Sequence, residues 1–507
     1  MERETEIKLA STPHMLDVLK QDARFLDGSV RQTLVSTYFD TADHRLTSAG
    51  VRLRLRTGGG KIEQTMKRAH KGSSTFATQL EHSCCLDREE IDLATFPRST
   101  RKIIENLAAG KPLIPIARTN VERETRIIKY RRATIEAAFD CGTIEASGRS
   151  GELCELELEL KRGSLRGLLS LARDLPLGPD LGWSASSKGT RAIGLAANQP
   201  ELPCRPRPIG LKPSMSGVMA FQHIAWNCLN HLLRNYRLIL EHRDAEALHQ
   251  CRVALRRLRI ATWIFRDGIG DDRAAILTAE WKAIATALGR GRTLDVMMAR
   301  MAEQGLPAAG SASPALPLLA RLRKSTYDDI VLLVGGASFQ RMLFDTALWI
   351  EGGSSQGRTR AGAKPESLSK FAAKTIAKQR KRLKKPLRTI KALTRCERHR
   401  LRIGIKRMRY TTEFFTSLLG VRGDAKQLPA FIKAQEAVQD ILGELNDIAP
   451  CRPPAIAGAD GLDAIEQAVV QALMTQPHDI ETGVERELIK AAARAGKQML
   501  ESSKSWR

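Results

Sequence analysis

The chain has no apolar run of the roughly 18–20 residues that would span a bilayer. Its opening residues lack the basic n-region and apolar h-region of a signal peptide, so a cytoplasmic location is expected. Its nine cysteines include no CxxC pair, which argues for reduced thiols and against a zinc site. Aromatic residues make up only 5% of the chain, and few lie near its basic clusters. That argues against a specific nucleic-acid groove, which commonly adds stacking platforms to its charge. Acidic residues are also short, 56 against 81 basic ones.

What is present is positive charge, unevenly spread. Residues 1–200 hold 31 basic and 26 acidic side chains, net +5, and residues 201–507 hold 50 and 30, net +20. Within 370–410 there are 17 Lys or Arg against the single carboxylate of Glu397. Such a localised field attracts a polyanion: nucleic acid, inorganic polyphosphate or an anionic membrane. A length of 507 residues allows two or three domains. The Pro-rich "NQPELPCRPRPIGLKPSMSG" (198–217) has no periodicity and reads as a linker. Strand-like patterns precede it. Helical periodicity follows it, broken at 305–317 and 352–366.

In "MERETEIKLA", Glu2, Glu4, Glu6 and Lys8 fall on every second residue, so on one face of a strand. "ELCELELELK" (152–161) sets Glu155, Glu157, Glu159 and Lys161 against leucines. "VRLRLR" (51–56) does the same with Arg52, Arg54 and Arg56, and "EQTMK" (63–67) groups Glu63, Thr65 and Lys67. One such strand would fit a sheet with a solvated face. Several, segregated into Glu-rich and Arg/Lys-rich sets, fit a closed antiparallel barrel with charged faces inward. Crowded carboxylates repel, and a hard divalent cation such as Mg²⁺ or Mn²⁺ relieves that repulsion. Facing cations would hold phosphate oxygens. The combination suits attack on a phosphoanhydride.

These motifs, with "YFDTADHRL" (38–46) and "SSKGTR" (186–191), resemble the CYTH domain of the triphosphate tunnel metalloenzymes over roughly 1–195. The resemblance implies an eight-stranded antiparallel tunnel that hydrolyses or rearranges triphosphates with Mg²⁺ or Mn²⁺. It makes Glu4, Glu6, Glu157 and Glu159 the metal carboxylates, and Glu4, Glu6 and Lys8 the catalytic signature. It makes Lys8, Arg52, Arg54, Lys67, Arg123 and Lys188 the triphosphate contacts. Glu63, Glu81 and Asp140 match acidic tunnel positions, Gln79 stands where arginine is common, and Glu155 is either a ligand or a residue of the tunnel rim, with the rim favoured because a metal site needs only a few carboxylates.

The second half repeats itself. "HQCRVALRRLR" (249–259) and "HRLRIGIKRMR" (399–409) place His249, Arg252, Arg256 and Arg259, then His399, Arg402, Lys406 and Arg409, at offsets 0, 3, 7 and 10. Those offsets form one stripe of a helix, with Leu255 and Leu258 or Ile405 and Met408 opposite. Each unit precedes a Leu-Gly step read as a turn, in "LGRGRTLD" (288–295) and "LGELND" (442–447), which suggests a duplicated bundle. This half resembles the CHAD domain, which implies polyphosphate binding along a basic channel without catalysis. Thr293 stands where that family often has Asp. The histidines could give structural hydrogen bonds or pH-dependent phosphate contacts.

The expected architecture is therefore α+β: a tunnel domain (1–197), a linker (198–217) and an all-α domain (218–507), resembling bacterial CYTH–CHAD inorganic triphosphatases. The expected partners are inorganic triphosphate and polyphosphate, with location in the cytoplasm or at polyphosphate granules. Two alternatives stay open: a non-catalytic polyphosphate binder, or the same fold acting on nucleoside or thiamine triphosphates or as an adenylate cyclase.

Overall fold

The computed structural model describes residues 5–502, apart from 27, 70–78, 199–200, 270, 304–314, 353–366, 420–427 and 449–480. Glu4 and most of the two segments expected as loops, 305–317 and 352–366, lie outside the described residues.

Nine strands form one antiparallel sheet: β1 (Glu6–Ser11), β2 (Val30–Asp40), β3 (Val51–Gly58), β4 (Lys61–Ala69), β5 (Gln79–Leu86), β6 (Ile114–Tyr130), β7 (Ala133–Ala146), β8 (Arg149–Arg162) and β9 (Leu181–Ser184). Their order is β5-β4-β3-β2-β6-β7-β8-β1-β9. The expected eight strands are thus corrected to nine. The extra strand, β9, is four residues long and buried on both faces, so it shows no polar–apolar alternation for a sequence pattern to reveal. Among the described residues β5 and β9 do not pair.

The alternation sorts the faces as expected. Val51, Leu53 and Leu55 of β3, Ile7 and Leu9 of β1 and Leu156 and Leu158 of β8 are all buried. On the β3 side this layer lies beneath α2 (Arg45–Ser48) and α3 (Arg98–Ala108), where Leu46, Phe96 and Ile104 join Leu53 and Met66. Each such side chain contributes about 1.5–3 kcal/mol by leaving water. The sheet also carries α1 (Pro13–Lys20), α4 (Leu165–Arg173) and α5 (Lys188–Ala196). The intervening charged side chains turn to the other face, into a cavity of about 750 Å³.

Helices follow: α6 (Gly217–His242), α7 (Ala245–Ile269), α8 (Asp272–Glu303), α9 (Ala315–Gly335), α10 (Ala337–Gly352), α11 (Leu368–Arg388), α12 (Arg395–Leu419), α13 (Leu428–Ile448) and a last one, Glu481–Glu501. Two compact units result. One comprises Met1–Arg205, Leu229–Ala247 and Leu333–Gly352. The other comprises Pro206–Cys228, Leu248–Leu332 and Gly353–Arg507. The first unit therefore takes in half of α6 and all of α10.

In the second unit Leu255, Leu258, Ile405 and Met408 are buried, while all eight residues of the two stripes are half-buried. Neither Leu-Gly step is a turn. Gly289 lies inside α8 and Gly443 inside α13. Close approach explains these glycines: a Cβ on Gly289 would come within 2.6 Å of Arg252 Nη1, and one on Gly443 within 3.2 Å of Arg402 Nη2. Seven of the described cysteines are free thiols, but Cys396 is disulfide-bonded, which corrects the expectation of a fully reduced set.

Candidate active site and basic stripes

Sheet register assembles the cavity. β1 runs beside β8 with Glu6 opposite Glu159 and Lys8 opposite Glu157. β7 places Asp140 opposite Glu155, and β6 places Arg123 opposite Asp140. One patch of sheet therefore carries alternating charges in two dimensions.

Lys8 Nζ donates to Glu6 Oε2 at 2.7 Å and to Glu157 Oε1 at 2.5 Å. Arg123 donates through Nε to Asp140 at 2.7 Å and through Nη2 to Glu157 at 2.6 Å. Lys188, at the start of α5, lies 2.6 Å from Asp140 and 3.0 Å from Glu157, and donates to Glu155. Arg191, one turn on, also binds Glu155. Burial alone would raise the Glu157 carboxyl, but the charges of Lys188, Lys8 and Arg123 outweigh it and hold the group well below the ordinary carboxylate range. Burial would lower Lys8, Lys188 and Arg123; their carboxylate neighbours instead raise all three.

The facing strands are short of carboxylates. Arg52 Nη1 donates to Ser187 Oγ at 2.6 Å and to Thr190 Oγ1 at 2.7 Å. Arg54 approaches Glu63 at 3.6 Å, Lys67 pairs with Glu81 at 2.8 Å, and Arg56 Nε donates to Ser36 Oγ at 3.3 Å. Burial, with Arg54 and Arg123 nearby, pushes the Arg56 guanidinium down to about 10. Burial also lowers Arg52. Desolvated like charges facing one space favour an anion there. Gly189 leaves room for this arrangement, because a Cβ would come within 2.8 Å of the Tyr38 ring.

The structure thus brings Glu6, Lys8, Arg52, Arg54, Lys67, Arg123, Glu157, Glu159 and Lys188 to one cavity. Glu4 and the side chain of Gln79 lie outside the described residues. Glu155 is not at a rim: it is 1% exposed, beneath Lys188 and Arg191. Sequence reasoning took only Lys188 from "SSKGTR", although Ser187, Thr190 and Arg191 in the same motif also carry the site. It named Asp140 as an acidic tunnel residue and left Glu155 between ligand and rim, without joining the two in one cluster. Ligand oxygens of Asp140, Glu155 and Glu157 lie within 4.8 Å of one another, a hard-oxygen set that fits a divalent cation.

On α7, burial and the charges of Arg256 and Arg292 push the Arg252 guanidinium down to about 10. Arg259 is lowered by burial and Arg256. Among the described residues none of Arg252, Arg256 and Arg259 has an ion pair. On α12, His399 Nδ1 lies 2.7 Å from Asn446 Oδ1, the structural bond that was one of the two expected roles. Arg409 binds Gln439 and Glu413, each at 2.9 Å. The two striped helices are neighbours: Arg257 of α7 reaches Glu413 of α12 at 3.3 Å, and Arg407 lies 4.6 Å over the Trp263 ring.

Residues 2–193 match the CYTH domain and residues 223–450 the CHAD domain. The chain carries both domains. An inorganic triphosphatase of Haemophilus influenzae is 29% identical to it over 201 residues, 39% of this chain and 56% of that protein. The chain thus spans little more than half the length of that relative. The CHAD domain of the plant Ricinus communis is 24% identical, covering 58% of this chain and 98% of its own, at a TM-score of 0.46. A Hippeastrum protein described by a dominant triphosphatase activity is 17% identical, covering 39% and 98%, at a TM-score of 0.27.

Proposed function

We propose that the CYTH domain hydrolyses inorganic triphosphate with Mg²⁺ or Mn²⁺, and that the CHAD domain binds inorganic polyphosphate along its stripes. The observation that carries the first part is a single cavity with carboxylates on one wall and desolvated arginines on the other. A polyphosphate anion meets Arg52, Arg54, Arg56 and Lys67, and its phosphoryl oxygens lie toward Lys8, Arg123 and Lys188. The arginines orient it by forked contacts, and the lysines and Arg123 neutralise charge as it builds on the phosphoryl group.

Glu6, Glu157 and Glu159 would hold the cation, with Glu4, two positions before Glu6 in the sequence. A bound hard cation would supply charge neutralisation and a more acidic water. Asp140 and Glu155 are 0% and 1% exposed and already hold Lys188 and Arg191. Of the Asp140, Glu155 and Glu157 cluster only Glu157 borders the cavity, beside Glu6 and Glu159, so a cation with positions open to water or substrate would sit there. In the reaction a water oxygen bonds to a terminal phosphorus, the bridging P–O bond breaks, and the proton leaves with the products, orthophosphate and pyrophosphate.

No base-recognition motif is evident in the sequence, which favours inorganic triphosphate over nucleoside triphosphates. The test is a substrate panel with the purified full chain and Mg²⁺ or Mn²⁺. It would include inorganic triphosphate, ATP, thiamine triphosphate and long-chain polyphosphate. The reading requires the highest kcat/KM on inorganic triphosphate. A preference for ATP with cyclic product would overturn it. Cytoplasmic residence, at polyphosphate granules when these form, accompanies this reading, and labelled protein that never co-localises with polyphosphate would contradict that part.

A further inference from the structure

The sheet ends at β9, and an edge strand exposes unpaired N–H and C=O groups that normally need covering. In an antiparallel ladder, residues whose main-chain groups point inward alternate with residues whose groups point outward. Trp183 points outward. Its N–H donates to Gln340 Oε1 of α10 at 3.0 Å, and its C=O accepts from the Tyr236 hydroxyl of α6. Gln340 is itself fixed, because its Nε2 donates to the Val334 carbonyl at 3.1 Å and only 1% of it is exposed. The Trp183 ring stacks on Phe344 with centroids 4.2 Å apart and planes 4° from parallel. Arg173 of α4 binds Asp345 at 3.1 Å on the same helix. A Cβ on Gly182 would lie 3.3 Å from the Gln340 amide. Two side chains thus stand where the next strand would be.

All of these residues belong to one compact unit, although Tyr236 and Gln340 fall within the stretch that matches the CHAD domain. β9 pairs with β1 by placing Trp183 opposite Leu9 and Ser184 opposite Lys8. Since Trp183 points outward, Ser184 is the residue that bonds Lys8 from the side opposite Glu157. We propose that Gln340 and Tyr236 are positioning residues of the tunnel site: by clamping β9 they fix β1, and with it Glu6 and Lys8. The functional half of this inference rests on the reading of the cavity as a triphosphate site.

The test uses the full chain with Gln340→Met, which keeps the bulk and loses the amide, and with Tyr236→Phe, which removes one hydroxyl. Hydrogen exchange is followed over 181–184 and 6–11. Affinity for inorganic triphosphate is measured by calorimetry in EDTA, where turnover does not interfere, at a temperature where circular dichroism shows each variant folded. Losing buried hydrogen bonds, two in Gln340→Met and one in Tyr236→Phe, should speed exchange over both segments and weaken triphosphate binding by up to about tenfold, more for Gln340→Met. A purely structural role would lower the melting temperature and leave the affinity of the folded protein unchanged, which would overturn the proposal. Unchanged exchange over 181–184 and 6–11 in both variants would overturn it too. Wild-type protein that neither binds triphosphate in EDTA nor turns it over with Mg²⁺ or Mn²⁺ would sink the functional reading of the cavity, and the exchange over 6–11 would still decide whether the clamp holds β1.

Discussion

The sheet cavity and the stripe on α7 are both cationic, but they hold their charge in opposite ways. In the cavity Lys8, Arg123 and Lys188 each lie within 3.0 Å of carboxylates, and their charged forms are favoured. On α7, Arg252 is crowded by Arg256 and Arg292, and its charged form is disfavoured. A matched network fixes each group in place and suits chemistry on one phosphoryl group. Among the described residues Arg252, Arg256 and Arg259 have no ion pair, and such a row gains most when a polyanion supplies its counter-charge.

The largest effects should come from the matched network. Glu6→Gln or Glu157→Gln is expected to lower kcat on inorganic triphosphate by about 10²–10³-fold, because each removes a charge that holds Lys8 and the cation. Glu157→Gln should also cost about 3–5 kcal/mol of stability, since three buried cations lose a partner. Steady-state kinetics beside thermal melts separate the two effects. Neither change should alter polyphosphate binding by the stripes. Unchanged kcat in both variants would break the comparison on the tunnel side.

Next come the stripes. Arg252→Glu with Arg256→Glu should weaken long-chain polyphosphate binding by more than about tenfold and flatten its salt dependence, with triphosphate kcat/KM unchanged. The paired change Arg402→Glu with Lys406→Glu should cost less, because the second stripe has Arg409 held by Glu413 and Gln439. Titrations at two salt concentrations measure both. Equal losses from the charge-matched change Lys384→Glu with Lys391→Glu, two exposed residues outside the stripes, would mean that general charge, rather than the stripes, does the binding.

Acid and alkali should then separate the two regions. The folded-state pKa of Glu157 is lowered. Its stabilisation is therefore fully present above its unfolded value near 4.5 and is lost as pH falls through the folded value. Thermal midpoints should stay flat from about pH 7 to 5 and drop below about pH 4. Arg252, pushed down to about 10, loses charge as pH rises through that value, so polyphosphate affinity should fall there. Affinity unchanged up to about pH 11 would remove Arg252 from the binding surface.

Much of this contrast was legible in the sequence. Period-two alternation marked β1, β3, β4 and β8 and sorted their charges inward, and the repeated offsets marked α7 and α12. What escaped were features that leave no periodic trace. β9 is buried on both faces, so nothing alternates. Gly289 and Gly443 looked like turn residues because a glycine that admits a neighbouring arginine looks the same in sequence as one that ends a helix. Asp140 and Glu155 were hard to weigh because their partners come from a distant segment, Lys188 and Arg191. The hold of Gln340 and Tyr236 on Trp183 could not be read at all, since it joins segments 53 and 157 residues apart.

The smallest predicted effect concerns those glycines. Gly289→Ala should displace the flexible end of Arg252, not the backbone, and weaken polyphosphate binding a few-fold with little change in stability. Gly443→Ala, with more room, should do less. The same calorimetric titration would show the order, and a larger loss for Gly443→Ala would reverse the ranking of the two stripes.

The central claim is that the cavity is a metal-dependent triphosphate site, and metal titration of turnover tests it most directly. The full chain would be stripped with EDTA, assayed for orthophosphate release from inorganic triphosphate, and reassayed as Mg²⁺ or Mn²⁺ is added back, beside Glu6→Gln. The account predicts no release without metal, saturable recovery in wild type and at most about 1% of that recovery in the variant. Full turnover in metal-free buffer, or equal recovery in the variant, would contradict it.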